Sequence, residues 1–170
     1  EKKERWNPIL MLRRQGTSSL ESTFVSVLEP FTNAPAINRA RRLALKRGEL
    51  SEQDADVALE ITLADKRRDL FVAIEVERSP LKQAELYANN DWALRSDAEL
   101  VWLRKSAAGE IERVVICNGR SLIVGALQIE SGRTVPLLEM VFDKGRATVV
   151  SGDRQTIHRA QKNGRTIRWN

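Results

Sequence analysis

Arginine supplies most of the chemistry available to this chain. Arg13, Arg14, Arg39, Arg41 and Arg42 form its densest basic cluster, and the planar guanidinium fork suits bidentate recognition of carboxylate or sulfate. If Pro8–Arg14 and Ile37–Leu45 lie side by side in one sheet, they make a basic stripe. Alternation along a strand sends Arg39 and Arg41 one way and Arg42 the other. The commoner role of such charges is a solvated strand face. A second basic stretch, Arg159, Lys162, Arg165 and Arg168, reads as a solvated tail. Trp92, Trp102 and Trp169 could stack on sugar rings. Trp102 sits among Leu100, Val101 and Leu103 and reads as core, whereas Trp92 lies near a loop and is the surface candidate. The candidate binding residues are therefore Arg13, Arg14, Arg39, Arg41 and Trp92.

Other reactive groups are sparse. His158 is the only histidine and Cys117 the only cysteine, so neither a histidine-based metal site nor a paired-cysteine one can form, and no metal or cofactor is expected. A catalytic His158 would need an acidic partner, the nearest in sequence being Asp153; a surface or turn histidine is the commoner case. Cys117 follows Val114-Val115-Ile116 and reads as a small buried hydrophobe; being alone, it excludes an internal disulfide. Tyr87, the only tyrosine, reads as an amphipathic residue at a sheet edge. There is no glycine-rich phosphate loop, no zinc spacing and no nucleophile elbow.

The elements that would position these residues read as strands. Val57, Leu59, Ile61 and Leu63 alternate with Ala58, Glu60, Thr62 and Ala64; Leu70, Val72, Ile74 and Val76 alternate with Phe71, Ala73, Glu75 and Glu77. Two period-2 runs around Asp65–Arg68 predict a hairpin, with Leu59 on its buried face. Ile9–Arg13 and Thr23–Leu28, around the turn Gly16–Ser19, predict another, stopped by Pro30. Ile37–Leu45 reads as a basic strand. Leu81–Leu94 reads as a short helix or two short strands, with Asn89-Asn90-Asp91 favouring a turn. Glu99–Lys105, Ile111–Cys117, Ser121–Val124, Leu127–Ile129, Val135–Phe142, Ala147–Val150 and Thr166–Trp169 follow as strands. Asn118-Gly119 is the strongest two-residue hairpin signal, and Gly132 and Gly145 mark further turns. Many short strands at even turn spacing predict an all-β, two-sheet antiparallel β-sandwich.

At 170 residues the chain is long enough for one two-sheet core. It carries 30% charged and 42% apolar residues, and no run approaches the roughly 18 apolar residues of a membrane helix; no membrane partner is expected. The net charge of +5 fits an acidic partner. Aromatics at 5% count against a single-strand nucleic-acid binder, which interleaves aromatic with basic residues. Glu1 is not an initiator methionine and no signal-peptide pattern follows it, so the sequence reads as a fragment or processed product.

Arg13-Arg14-Gln15-Gly16 followed by Phe24-Val25-Ser26-Val27-Leu28-Glu29-Pro30-Phe31 resembles the C-terminal β-sandwich of heparinase II/III-like polysaccharide lyases. The likeness continues more loosely through Asp56–Ile61, Arg68–Phe71, Leu100–Arg104 and Val114–Gly119, and so spans roughly Pro8 to Gly125. The resemblance implies a parent enzyme that cleaves uronate-containing, possibly sulfated, polysaccharide by β-elimination, in the periplasm or outside the cell. In that family tyrosine and histidine serve as acid and base, an asparagine or glutamine neutralises the carboxylate, and most of these groups lie on an α-helical toroid domain. Neither Tyr87 nor His158 matches a family catalytic motif, so the resemblance assigns no catalytic residue here. The family's structural metal needs histidine ligands that this chain lacks. The expected role is to pack on the toroid and wall one side of the glycan cleft, without activity in isolation. A free-standing carbohydrate-binding module and a purely structural sandwich are the alternatives.

Overall fold

The computed structural model describes residues 15–16, 23–47, 55–76, 85–144 and 146–169. In chain order the strands are β1 (Ile37–Leu43), β2 (Lys46–Arg47), β3 (Val57–Leu63), β4 (Arg68–Ala73), β5 (Tyr87–Asn89), β6 (Leu94–Ser96), β7 (Leu100–Lys105), β8 (Ile111–Cys117), β9 (Gly119–Val124), β10 (Leu127–Val135), β11 (Leu138–Asp143), β12 (Arg146–Ser151), β13 (Ile157–Lys162), β14 (Arg165–Thr166) and β15 (Arg168–Trp169). One sheet has the order β1-β3-β4-β7-β8-β11-β12-β15, the other β14-β13-β10-β9-β6-β5-β2. Among the described residues every pairing is antiparallel except β12 with β15, and the one helical turn is the 3-10 segment Arg154–Thr156. The expected two-sheet β-sandwich is what forms.

The β3–β4 hairpin shows why. Its apolar alternation gives each strand a face to bury, and the Ala64–Arg67 turn brings Val57 opposite Ala73 and Thr62 opposite Arg68. Leu70, Val72, Val101, Leu103, Val114, Ile116, Leu138 and Met140 line the inner face of one sheet. Leu94, Leu122, Val124, Leu127 and Ile129 meet them from the other, all essentially without solvent contact. Burying one such side chain is worth about 1.5–3 kcal/mol. Near one edge, Arg47 on β2 and Asp56 before β3 form a buried ion pair at 3.6 Å between the sheets, and Asp56 also accepts the backbone N–H of Glu75.

Four sequence expectations change. The first is the buried face of β3. Leu59 stands opposite Phe71 on the outer face, while Ala58 and Glu60 stand opposite Val72 and Leu70 and point inward. Periodicity identifies two faces but cannot say which is covered; here the face bearing a carboxylate goes in because partners for it wait inside.

The second concerns Asn118-Gly119, which is not a hairpin. β8 lies in one sheet and β9 in the other, so the pair carries the chain across the sandwich. Asn118 adopts a positive φ of 52°. A Cβ on Gly119 would lie 2.4 Å from the Cβ of Ala98, so the crossing needs glycine for close approach. Gly132, similarly, is absorbed within β10 rather than turning the chain.

The third is the distinctive segment from Thr23 to Phe31, which forms no strand. Phe24, Leu28 and Phe31 are exposed, and the predicted partner Ile9–Arg13 lies outside the described residues. Without a paired edge and a covered face, alternation alone does not make a strand. Glu29 instead accepts the backbone N–H groups of Ala36 and Ile37, the latter at 3.0 Å. The fourth concerns Tyr87 and Cys117. Tyr87 is fully buried rather than at an edge, and burial holds its phenol well above its ordinary pKa. Cys117 is only half-buried, on the outer face beside Leu100.

Candidate functional site

Because β3, β4, β7, β8, β11 and β12 are successive antiparallel neighbours, the connections at 64–67 and 106–110 and Lys144 after β11 gather at one end of the sheet. The turns at 90–93, 125–126 and 163–164 of the other sheet lie at the same end. Gly125 donates to the Ala93 carbonyl and Asn163 to the Ala126 carbonyl, both at 3.0 Å. Ion pairs then cross between the sheets, Arg41 to Asp91 and Lys162 to Glu110. Two basic constellations occupy this end.

The first is an open cleft of about 1230 Å³ lined by Glu110, Lys144, Arg146, Lys162, Asn163, Arg165, Thr166 and Ile167. Among the described residues that line it, four are cations and one, Glu110, is a carboxylate. Glu110 is already paired with Lys162 at 2.5 Å, and that hydrogen bond, with the charge of Lys162, holds its carboxyl below the ordinary value. Ile167, also in the lining, is buried against the core. Sequence reasoning recorded Lys162 and Arg165 but assigned them to a solvated tail, and it missed Lys144 and Arg146. What assembles them is the parallel return of β15 beside β12, a long-range pairing that no local pattern announces. The side chains of His158, Arg168 and Trp169 lie outside the described residues; the His158 backbone is in β13, not a turn.

The second constellation surrounds Trp92, and it overturns the expectation of a surface platform. The indole is 1% exposed. The Asn89 side chain holds the turn, accepting the Trp92 backbone N–H at 3.0 Å and donating to the Ala44 carbonyl at 2.8 Å. The indole N–H donates to Glu60 Oε2 at 2.8 Å. Glu60 Oε1 accepts from Arg41 Nε at 2.8 Å, and Arg68 stands 3.6 Å from Oε2. Burial works to raise the Glu60 pKa, but the hydrogen bonds from Arg41 and Trp92 and the charges of Arg41 and Arg68 outweigh it, leaving the carboxyl below its ordinary value. Lys105 Nζ sits 4.3 Å from the centre of the Trp92 ring, and the Arg68 guanidinium 5.4 Å from it.

Along β1, Arg39 and Arg41 stand opposite Thr62 and Glu60 and Arg42 opposite Leu59, the alternation expected from the sequence. Arg39 is exposed on β1, the edge strand, where charge guards against edge-to-edge pairing. Arg41 is committed to Glu60 and Asp91. Arg42 turns to the other face and donates to the Asp56 carbonyl at 3.0 Å. Arg13 and Arg14 lie outside the described residues.

The outer face of the eight-stranded sheet carries a third feature. Phe71 and Trp102 stack with centroids 5.9 Å apart and planes 7° apart. Arg104 and Arg113 reach over the indole, at 5.4 and 5.2 Å. Each of these arginines has its own carboxylate, Asp69 for Arg104 and Glu139 for Arg113. Phe71 and Leu100 remain exposed there. Trp102, expected in the core, is thus part of an outward aromatic surface. Among the described residues no group of three or more histidine, cysteine or acidic side chains could hold a metal ion. No family model, curated protein or solved structure matches this chain.

Proposed function

We propose that this chain is the β-sandwich domain of a heparinase II/III-like polysaccharide lyase, and that it supplies glycan-binding surface rather than proton-transfer groups. The observation that carries the reading is the cleft in which Lys144, Arg146, Lys162 and Arg165 face a single carboxylate. A uronate-containing or sulfated polysaccharide presents repeated anionic groups to such a wall, and each exposed contact contributes about 0.2–1 kcal/mol. Several acting together give modest, salt-sensitive affinity. The parent enzyme would cleave by β-elimination with groups on its α-helical toroid. The apolar outer face around Phe71, Leu100 and Trp102 gives that toroid somewhere to pack, since exposed apolar patches mark interaction surfaces. This patch favours a domain with a neighbour over a free-standing module. Nucleic acid and membrane are not partners in this reading.

The test is retention on immobilised heparin under a salt gradient. Lys144→Ala/Arg165→Ala should elute at clearly lower salt than the parent, and Arg39→Ala/Arg120→Ala close to it. Equal shifts for both pairs would reduce the interaction to net charge and remove the cleft as the site.

A further inference from the structure

We propose that Arg68 and Lys105, side by side over the Trp92 ring, form a discrete site for an oxyanion. The site is separate from the cleft and does not rest on the glycan reading.

Arg68 and Lys105 are directly opposite each other on the neighbouring strands β4 and β7. Like charges in that relation oppose pairing of the strands, so their placement needs an explanation. The comparison is internal to the sheet. Arg104 and Arg113 are also directly opposite, on β7 and β8, and there Asp69 and Glu139 neutralise them one for one. The inner pair has no such provision. Among the described residues the carboxylate within ion-pair reach of Arg68 is Glu60, whose oxygens already accept Arg41 and the Trp92 indole. Arg68 reaches Glu60 only at 3.6 Å. Lys105 has no ion pair or hydrogen bond among the described residues, only the face of the Trp92 ring.

Among the described residues the groups facing this corner are Arg41 from β1, Glu60 from β3, Arg68 from β4, Lys105 from β7 and Asp91 from the β5–β6 turn. Three cations therefore face two carboxylates, and Arg41 engages both. The Lys105 ammonium is half-buried; burial first, then the charge of Arg68, lowers its pKa, only partly offset by the charge of Glu60. An ammonium and a guanidinium opposite each other on neighbouring strands and both over the Trp92 ring, with 40% of the Arg68 side chain exposed, match an oxyanion that accepts from both. A carboxylate or sulfate group meets this requirement, free or carried on a sugar.

The test is a titration of the intact chain with sodium sulfate, and separately with sodium glucuronate, at ionic strength held constant with chloride. The readout is the Trp92 indole N–H resonance, assigned by its loss in Trp92→Phe. The expected result is a saturable shift with at least one anion, lost or weakened at least fivefold in Lys105→Met and in Arg68→Gln, and kept in Lys144→Met. Saturation by sulfate alone identifies a sulfate site; saturation by glucuronate extends it to sugar carboxylates. Absence of saturation with both anions, or equal titration of parent, Lys105→Met and Arg68→Gln, overturns the proposal. If one variant fails to fold, the other carries the comparison.

Discussion

Glu60 is the carboxylate on which the Trp92 corner depends, and replacing it gives a graded prediction. Its side chain is 6% exposed. In Glu60→Leu the buried indole N–H loses its acceptor, at a cost of about 1–3 kcal/mol. Arg41 and Arg68 lose their shared partner, but each is about 40% exposed and can turn to water, so each adds only about 0.2–1 kcal/mol. Removing the buried charge relieves part of its desolvation cost. The net loss should be about 2–3 kcal/mol, lowering the melting temperature by roughly 4–12 °C for a domain of this size. Glu60→Gln keeps an acceptor for the indole and should lose about half as much. The acid limb gives an independent check. Because the folded carboxyl sits below its ordinary value of 4.5, its contribution is full above that pH and is lost as pH falls through the lowered folded value. Glu60→Gln should therefore show a shallower stability loss below about pH 4.5 than the parent. Urea unfolding followed by circular dichroism measures both effects. Glu60→Leu within about 0.5 kcal/mol of the parent, or Glu60→Gln costing more than Glu60→Leu, would refute the reasoning.

Leu70→Asp buries an unpaired charge and should cost about 4 kcal/mol or more, whereas Leu59→Asp, on the outer face, should cost clearly less; equal melting temperatures would restore the opposite facing of β3. Gly119→Ala drives a methyl group into Ala98 and should cost about 1–3 kcal/mol, measurable in the same urea assay; an unchanged midpoint would deny the close crossing. The isolated chain should release no unsaturated uronate from heparin, heparan sulfate or alginate, since Tyr87, its one tyrosine, is sealed in the core; a rise in ultraviolet absorbance on those substrates would contradict this.

The fold was legible where the signal is local. Period-2 runs at Val57–Ala64 and Leu70–Glu77, the Asn89–Asp91 turn and the even punctuation placed most strands, β3 and β4 among them, correctly. What failed depended on partners distant in sequence. Leu59 and Glu60 are each consistent with either face until Arg41, Arg68 and Trp92 are brought around the carboxylate. Asn118-Gly119 has hairpin chemistry, but packing against Ala98 makes it a crossing. The site was less legible still. Trp92 follows an asparagine-rich turn and so looked exposed, yet its turn folds inward. The cleft unites the β11–β12 and β13–β14 connections, some 20 residues apart, by the pairing of β12 with β15. Charge density along the sequence pointed to β1 instead, where Arg41 serves an internal carboxylate.

In the proposed reading acidic polysaccharide meets the basic cleft, not the exposed β1 edge, and amide resonance mapping with a short heparin oligosaccharide at low salt tests this. The expected result is saturable shifts concentrated at Lys144, Arg146, Lys162, Asn163 and Arg165, receding as salt rises, with little change at Arg39. Shifts centred on β1, or spread over all exposed basic residues in proportion to their charge, would contradict it.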